Sequence, residues 1–87
     1  MTHFPIQLIE FDKNGGEVVR VEIQEYRGKH KVAIRAWYRD AQGELKPGRA
    51  GITLDIKHVR DLARGASRAK KRAIELHLIE DPKADAE

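Results

Sequence analysis

The stretch EVVRVEIQEYRGKHKVAIRAWYR, from Glu17 to Arg39, decides the fold. Between Glu17 and Tyr26 apolar and polar residues alternate. Val19, Val21 and Ile23 point one way, and Arg20, Glu22, Gln24 and Tyr26 point the other. Period two is the signature of a strand with one face in a core. From His30 to Arg39 the alternation resumes, with Val32 and Ile34 turned inward and Lys31, Ala33, Arg35 and Trp37 turned outward. Arg27-Gly28-Lys29 supplies the turn between them, so the stretch reads as a β-hairpin. Its outward face gathers Arg20, Tyr26, Lys31, Arg35 and Trp37. A face that needs only solubility has little use for tryptophan, whereas aromatics and arginines are enriched on contact surfaces.

Working outward, Ile6 to Asp12 has strand character, and Asn14-Gly15-Gly16 tolerates the positive φ of a tight turn. After Arg39, Asp40-Ala41-Gln42-Gly43-Glu44 is a polar turn. Lys46-Pro47-Gly48-Arg49-Ala50-Gly51 reads as a loop by its proline and glycines, and Ile52-Thr53-Leu54 as a short strand. Asp55 has the chemistry of a helix N-cap, and a helix is expected over 55–80, with Pro82 closing it. Ile56, Val59, Leu62, Ala63 and Ala66 form an apolar stripe suited to packing against a second copy. Arg60, Arg64, Arg68 and Arg72 make a basic ridge, read as a solvated helix face. Gly65 interrupts the pattern at about 1 kcal/mol relative to alanine, leaving open whether one helix or two follow. The reading is thus one domain over 1–80, with a sheet over 6–54, and an acidic tail over 81–87 expected to be disordered.

The totals agree. At 87 residues a chain buries only about 60% of its unfolded surface. With no cysteine to staple it, oligomerisation is the natural source of further burial. No apolar run is long enough to span a membrane, and no secretory signal is evident, so a cytoplasmic, nucleoid-associated protein is expected. The formal charge of +3 hides an asymmetry: Arg20 to Arg72 holds 15 Lys/Arg against 6 Asp/Glu, and the remainder 2 against 8. A basic block beside an acidic end points to a polyanionic partner.

Cations neutralise phosphates and flat rings stack on unpaired bases, which together hold a single strand without reading its sequence. Three segments carry this chemistry: Tyr26-Arg27-Gly28-Lys29, Arg35-Ala36-Trp37-Tyr38 and Lys46-Pro47-Gly48-Arg49. The expected nucleic-acid-binding set is Arg20, Tyr26, Arg27, Lys29, Lys31, Arg35, Trp37, Tyr38, Lys46 and Arg49. Catalysis has little support. His3, His30, His58 and His77 lack metal-site spacing, and no nucleophile and base stand together in a motif. No cofactor or metal is expected.

With Phe11-Asp12-Lys13-Asn14, Arg20-Val21-Glu22-Ile23 and Gly51-Ile52-Thr53-Leu54, these segments resemble the positive cofactor four (transcriptional coactivator p15) family, in its short bacterial form. The resemblance spans about Phe11 to Ala66. It implies an α+β fold, a curved four-stranded antiparallel sheet followed by one long C-terminal helix, assembled as a homodimer. It also implies single-stranded DNA binding on the concave sheet faces, and a tie to the transcription machinery. Tyr26, Arg27, Lys29, Arg35, Lys46 and Arg49 stand at the family's binding positions. The eukaryotic pattern has tyrosine then tryptophan where this chain has Trp37 then Tyr38. By that register Tyr38 inherits the stacking position, whereas alternation favours Trp37, and a β-bulge shifting parity would reconcile them. Ala50 replaces a lysine common in the family. RNA is an alternative ligand for the same face. A protein-interaction module working through the C-terminal helix is the alternative of a different class.

Overall fold

The computed structural model describes residues 2–80, and the chain divides at Lys57 into a sheet unit and a helical unit. The sheet unit is a meander of four antiparallel strands in the order β1-β2-β3-β4: β1 (Ile6–Asp12), β2 (Val18–Tyr26), β3 (Lys29–Arg39) and β4 (Leu45–Asp55). The expected hairpin is its centre. The β2–β3 ladder runs from Val18 opposite Trp37 to Tyr26 opposite Lys29 without a register shift. Arg27 and Gly28 both have positive φ, 53° and 78°, so the two-residue connection has the mirror-image turn geometry that matches strand twist.

Both edge strands are bulged. Between Gln7 and Ile9 the β1 register slips by one residue, leaving Leu8 as the extra one. The slip puts Ile6, Ile9 and Phe11 opposite Ile23, Val21 and Val19, so an uneven spacing in sequence becomes one apolar row. In β4 the slip lies between the Arg35–Gly51 and Trp37–Pro47 pairs, so Gly48, Arg49 and Ala50 stand opposite Ala36 alone.

The β4 bounds correct the sequence reading, which made Lys46–Gly51 a loop and only Ile52–Leu54 a strand. Proline is tolerated here because β4 is an edge. The glycines serve close approach rather than a turn. A Cβ on Gly51 would lie 2.7 Å from the Ile34 carbonyl oxygen, and one on Gly48 would lie 2.9 Å from that of Ala36. The β3–β4 turn is organised by Asp40, whose Oδ1 accepts from the backbone N–H groups of Gln42 and Glu44, both at 2.9 Å.

One face of the sheet is apolar. It carries Val19, Val21 and Ile23, then Ala36, Ile34 and Val32, then Ile52 and Leu54 by register. Among the described residues only Val18, Val32, Ala33 and Ala36 are buried apolar residues, while Phe11 and Ile52 remain about half exposed at 51% and 47%. The burial available within the described chain is small, as its length implies.

A 3₁₀ turn, Ile56–His58, spans the boundary between the units, and α1 (Val59–Glu75) lies in the second. Asp55 accepts a hydrogen bond from the Lys57 backbone N–H at 3.0 Å, so it caps the 3₁₀ turn and not the α-helix itself. The expected helix over 55–80 is therefore shorter. It ends in a Schellman motif: the Leu78 N–H reaches the Ala73 carbonyl at 2.8 Å, that of His77 reaches Ile74 at 3.0 Å, and His77 has φ 62°. Pro82 and the expected tail lie outside the described residues. Gly65 leaves α1 unbroken, so one helix follows and not two. Arg64 pairs with Asp61 and Arg72 with Glu75 along the basic ridge. No residue of α1 is buried. Its apolar line runs through Val59, Leu62 and Ala66 and continues to Ala69 and Ala73 at helical spacing. Ile56 precedes the α-helix, and Ala63 sits at the margin of that line.

Candidate nucleic-acid interface

Residues directly opposite in an antiparallel ladder project from the same face. By that rule the face opposite the apolar one collects Arg20 and Arg35, which are cross-strand partners, with Trp37 opposite Val18, Lys31 opposite Gln24 and Lys29 opposite Tyr26. Six of the expected residues are thus brought together: Arg20, Tyr26, Lys29, Lys31, Arg35 and Trp37.

The two arginines are held in place. Arg20 Nε donates to Glu10 Oε1 at 2.5 Å, and its guanidinium lies over the Trp37 ring, 4.3 Å from the centroid. That stacking fixes the ring as well as the cation. Arg35 Nη1 donates to the carbonyls of Gly48 and Arg49, at 3.2 and 3.4 Å, and Nη2 donates to Thr53 Oγ1 at 3.2 Å. The β4 bulge, which turns two carbonyls toward one guanidinium, is the cradle of Arg35. Like charges directly across a ladder destabilise a sheet unless anions or dipoles offset them. Here a carboxylate and two carbonyls do so.

At the far end of the face Tyr26 is 66% exposed, with the Arg27 guanidinium 5.1 Å from its ring centroid. Lys29, Lys31 and Arg49 have no ion-pair partner among the described residues. Two depressions follow the face. One is lined by Arg20, Glu22, Gln24, Arg35 and Trp37, the other by Phe4, Gln24, Tyr26, Lys31 and Thr53, and both include Pro5. Together they form a track between the two rings.

Of the other four expected residues, two project from the opposite side of the sheet and two stand at the turn and the bulge. Tyr38 is opposite Lys46, and the pair projects from the other side of the sheet. The bulge that was to bring Tyr38 and Trp37 into agreement lies in β4, so parity along β3 is unbroken and Trp37, not Tyr38, stands beside Arg35. Lys46 lies near two acids, 3.9 Å from Asp40 and 3.6 Å from Glu44. Arg27 is at the hairpin tip, and Arg49 is exposed in the bulge. Alternation places Glu22 on the outward face with Arg20, Gln24 and Tyr26. It lies on the expected face but is only 7% exposed, a position whose burial no local pattern signals. Among the described residues no group of three or more His, Asp or Glu side chains is placed to hold a metal ion. No helix there is long and apolar enough to cross a membrane.

The geometry defines a protein built on one antiparallel sheet with a cationic, aromatic face and an apolar face, followed by a single amphipathic helix. The fold is similar to that of a PC4 homolog from Burkholderia pseudomallei, at a TM-score of 0.68 and 22% identity over 77% of this chain and 98% of that one. It is also similar to the bacteriophage T5 homolog of the eukaryotic transcription coactivator PC4, a protein implicated in recombination-dependent DNA replication. That match has a TM-score of 0.64 and 21% identity over 95% of this chain and 98% of the other. The chain belongs to the Transcriptional Coactivator p15 (PC4) family, whose model matches residues 13–64.

Proposed function

We propose that this protein binds single-stranded DNA with little sequence preference and acts as a transcription cofactor or DNA-maintenance factor. The observation that carries the reading is the cross-strand pair Arg20–Arg35 beside Trp37, continued by Lys31 and Lys29. Two arginines placed directly across a ladder concentrate positive charge that neighbouring carbonyls and one carboxylate offset only in part. A phosphodiester backbone running along the face would offset the rest. Trp37 and Tyr26, one at each end of the track, would stack on bases, and each is worth about 1–3 kcal/mol by truncation. The partly exposed apolar sheet face and the unburied stripe of α1 support a homodimer, which would bury what the single chain leaves open. An RNA strand offers the same phosphates and rings.

The test is a fluorescence titration with oligo-dT and with a matching duplex at two salt concentrations. Preference for the single strand is expected, with log affinity falling against log salt by roughly 0.7 per neutralised phosphate. Equal and negligible binding to both forms refutes the reading. It would leave a protein-interaction module acting through α1.

A further inference from the structure

We propose that Glu22 makes the depression beside Trp37 a base-reading pocket that favours cytosine over thymine or uracil. The inference rests on the single-strand reading above and adds to it a preference that phosphate contacts and stacking do not supply.

Glu22 lines the depression together with Arg20, Gln24, Arg35 and Trp37. It is the one buried charged residue among those described, at 7% exposure. Neither arginine neutralises it: Arg20 is engaged by Glu10, and Arg35 by the Gly48 and Arg49 carbonyls and Thr53. Glu22 Oε1 accepts from Gln24 Nε2 at 3.2 Å, and Oε2 has no donor among the described residues. Yet no buried side-chain nitrogen or oxygen there lacks a partner, so Oε2 is not sealed in and keeps an open side. A carboxylate removed from most of its water, with acceptor capacity to spare, seeks a donor.

On a face built for phosphates a carboxylate opposes binding, and a track indifferent to sequence has no use for it. A base resting near the Trp37 ring changes that balance. The cytosine N4 amino group donates to a carboxylate, a standard pairing for glutamate. Thymine and uracil present the O4 carbonyl at the same position. Two acceptors then face each other away from bulk water, and both lose their hydrogen bonds.

The test uses the full chain in mildly alkaline buffer at fixed salt, where cytosine is neutral. Fluorescence anisotropy would compare oligo-dC, oligo-deoxyuridine and an oligomer of N4,N4-dimethyl-deoxycytidine, which keeps the ring but lacks the donor. Oligo-dC should bind about tenfold more tightly than oligo-deoxyuridine, as expected for a hydrogen bond to a charged group. Dimethylation should abolish the advantage. In Glu22→Gln the side-chain amide can donate to O4, and the ratio should fall to within about twofold. Equal binding of the first two oligomers by the unaltered protein overturns the inference and leaves the single-strand reading standing. So does an advantage that survives dimethylation. Absence of binding to all three overturns that reading and the inference with it. If Glu22→Gln does not fold, the three oligomers on the unaltered protein decide the matter alone.

Discussion

The same substitution at two glycines should move stability in opposite directions. At Gly51 a methyl group would sit 2.7 Å from the Ile34 carbonyl oxygen, 2.8 Å from Arg35 Cα and 3.0 Å from Arg35 Cβ. The first two are backbone atoms of β3. They cannot yield, because β3 is held on its other side by an unbroken ladder to β2. Forcing extra atoms into such a contact costs about 1–3 kcal/mol. The smaller unfolded-state entropy of alanine returns about 0.4–1 kcal/mol, so Gly51→Ala should destabilise by about 1–2 kcal/mol. Around Gly65, by contrast, nothing lies within 4 Å of the added methyl. It stands inside α1, where alanine is favoured over glycine by about 1 kcal/mol.

For a domain of this size each kcal/mol shifts the melting temperature by roughly 4–8 °C. Circular dichroism melts at one protein concentration, held constant because association also raises the midpoint, should therefore show Gly51→Ala well below the parent and Gly65→Ala above it. Gly51 is also the β4 partner of Arg35. Pushing β4 away would loosen the cradle formed by Gly48, Arg49 and Thr53, so oligo-dT affinity should fall with stability. A Gly51→Ala protein that melts at or above the parent would refute the close approach of β4 and the account of how Arg35 is held.

Three further outcomes follow from particular residues. Trp37→Ala should weaken oligo-dT binding by about 1–3 kcal/mol, while Tyr38→Ala, on the opposite face, should change it by no more than about 0.5 kcal/mol; equal losses in titration would remove the distinction drawn from strand parity. Arg27→Asn should raise stability by about 1 kcal/mol, because asparagine accepts the left-handed conformation that arginine adopts at φ 53°. It should also make the salt slope of binding shallower by about 0.7, and a lower melting temperature would contradict the turn assignment. If the α1 stripe is the proposed dimer seam, Leu62→Asp should reduce the native mass seen in sedimentation by burying a charge there; an unchanged mass and melting temperature would show that it is not.

The central hairpin is legible because its residues alternate over two full strands. The fourth strand is not, since Pro47, Gly48 and Gly51 are the residues a loop would use. What makes them strand residues is non-local: an edge position that forgives the missing proline donor, and a neighbour so close that only glycine fits. The helix end is obscured for a related reason. Pro82 is a visible stop, whereas the operative one is a left-handed residue at His77, and histidine carries no strong sequence cue for that conformation.

A physical rule separates what can be read of the site from what cannot. A strand inside a sheet must keep register with two neighbours, so an extra residue in it would disturb two ladders at once. An edge strand answers to one neighbour and can bend away on its open side. Here both bulges fall on β1 and β4, and the β2–β3 ladder has none. Alternation read along β2 and β3 therefore survives folding, which is why it favoured Trp37 over Tyr38 for the basic face. The one-residue slip in β1 flips the count between Gln7 and Ile9, whereas the β4 bulge adds two residues and keeps it, so Lys46 lands opposite Tyr38 on the side of Ile52, away from the arginines it was expected to join. Parity also fixes a side chain's face without fixing its surroundings. It assigned Glu22 to the correct side of the sheet, but whether that carboxylate meets water or is enclosed depends on side chains from neighbouring strands. The residue with the most to say about selectivity is thus the one whose sequence neighbourhood makes it look ordinary.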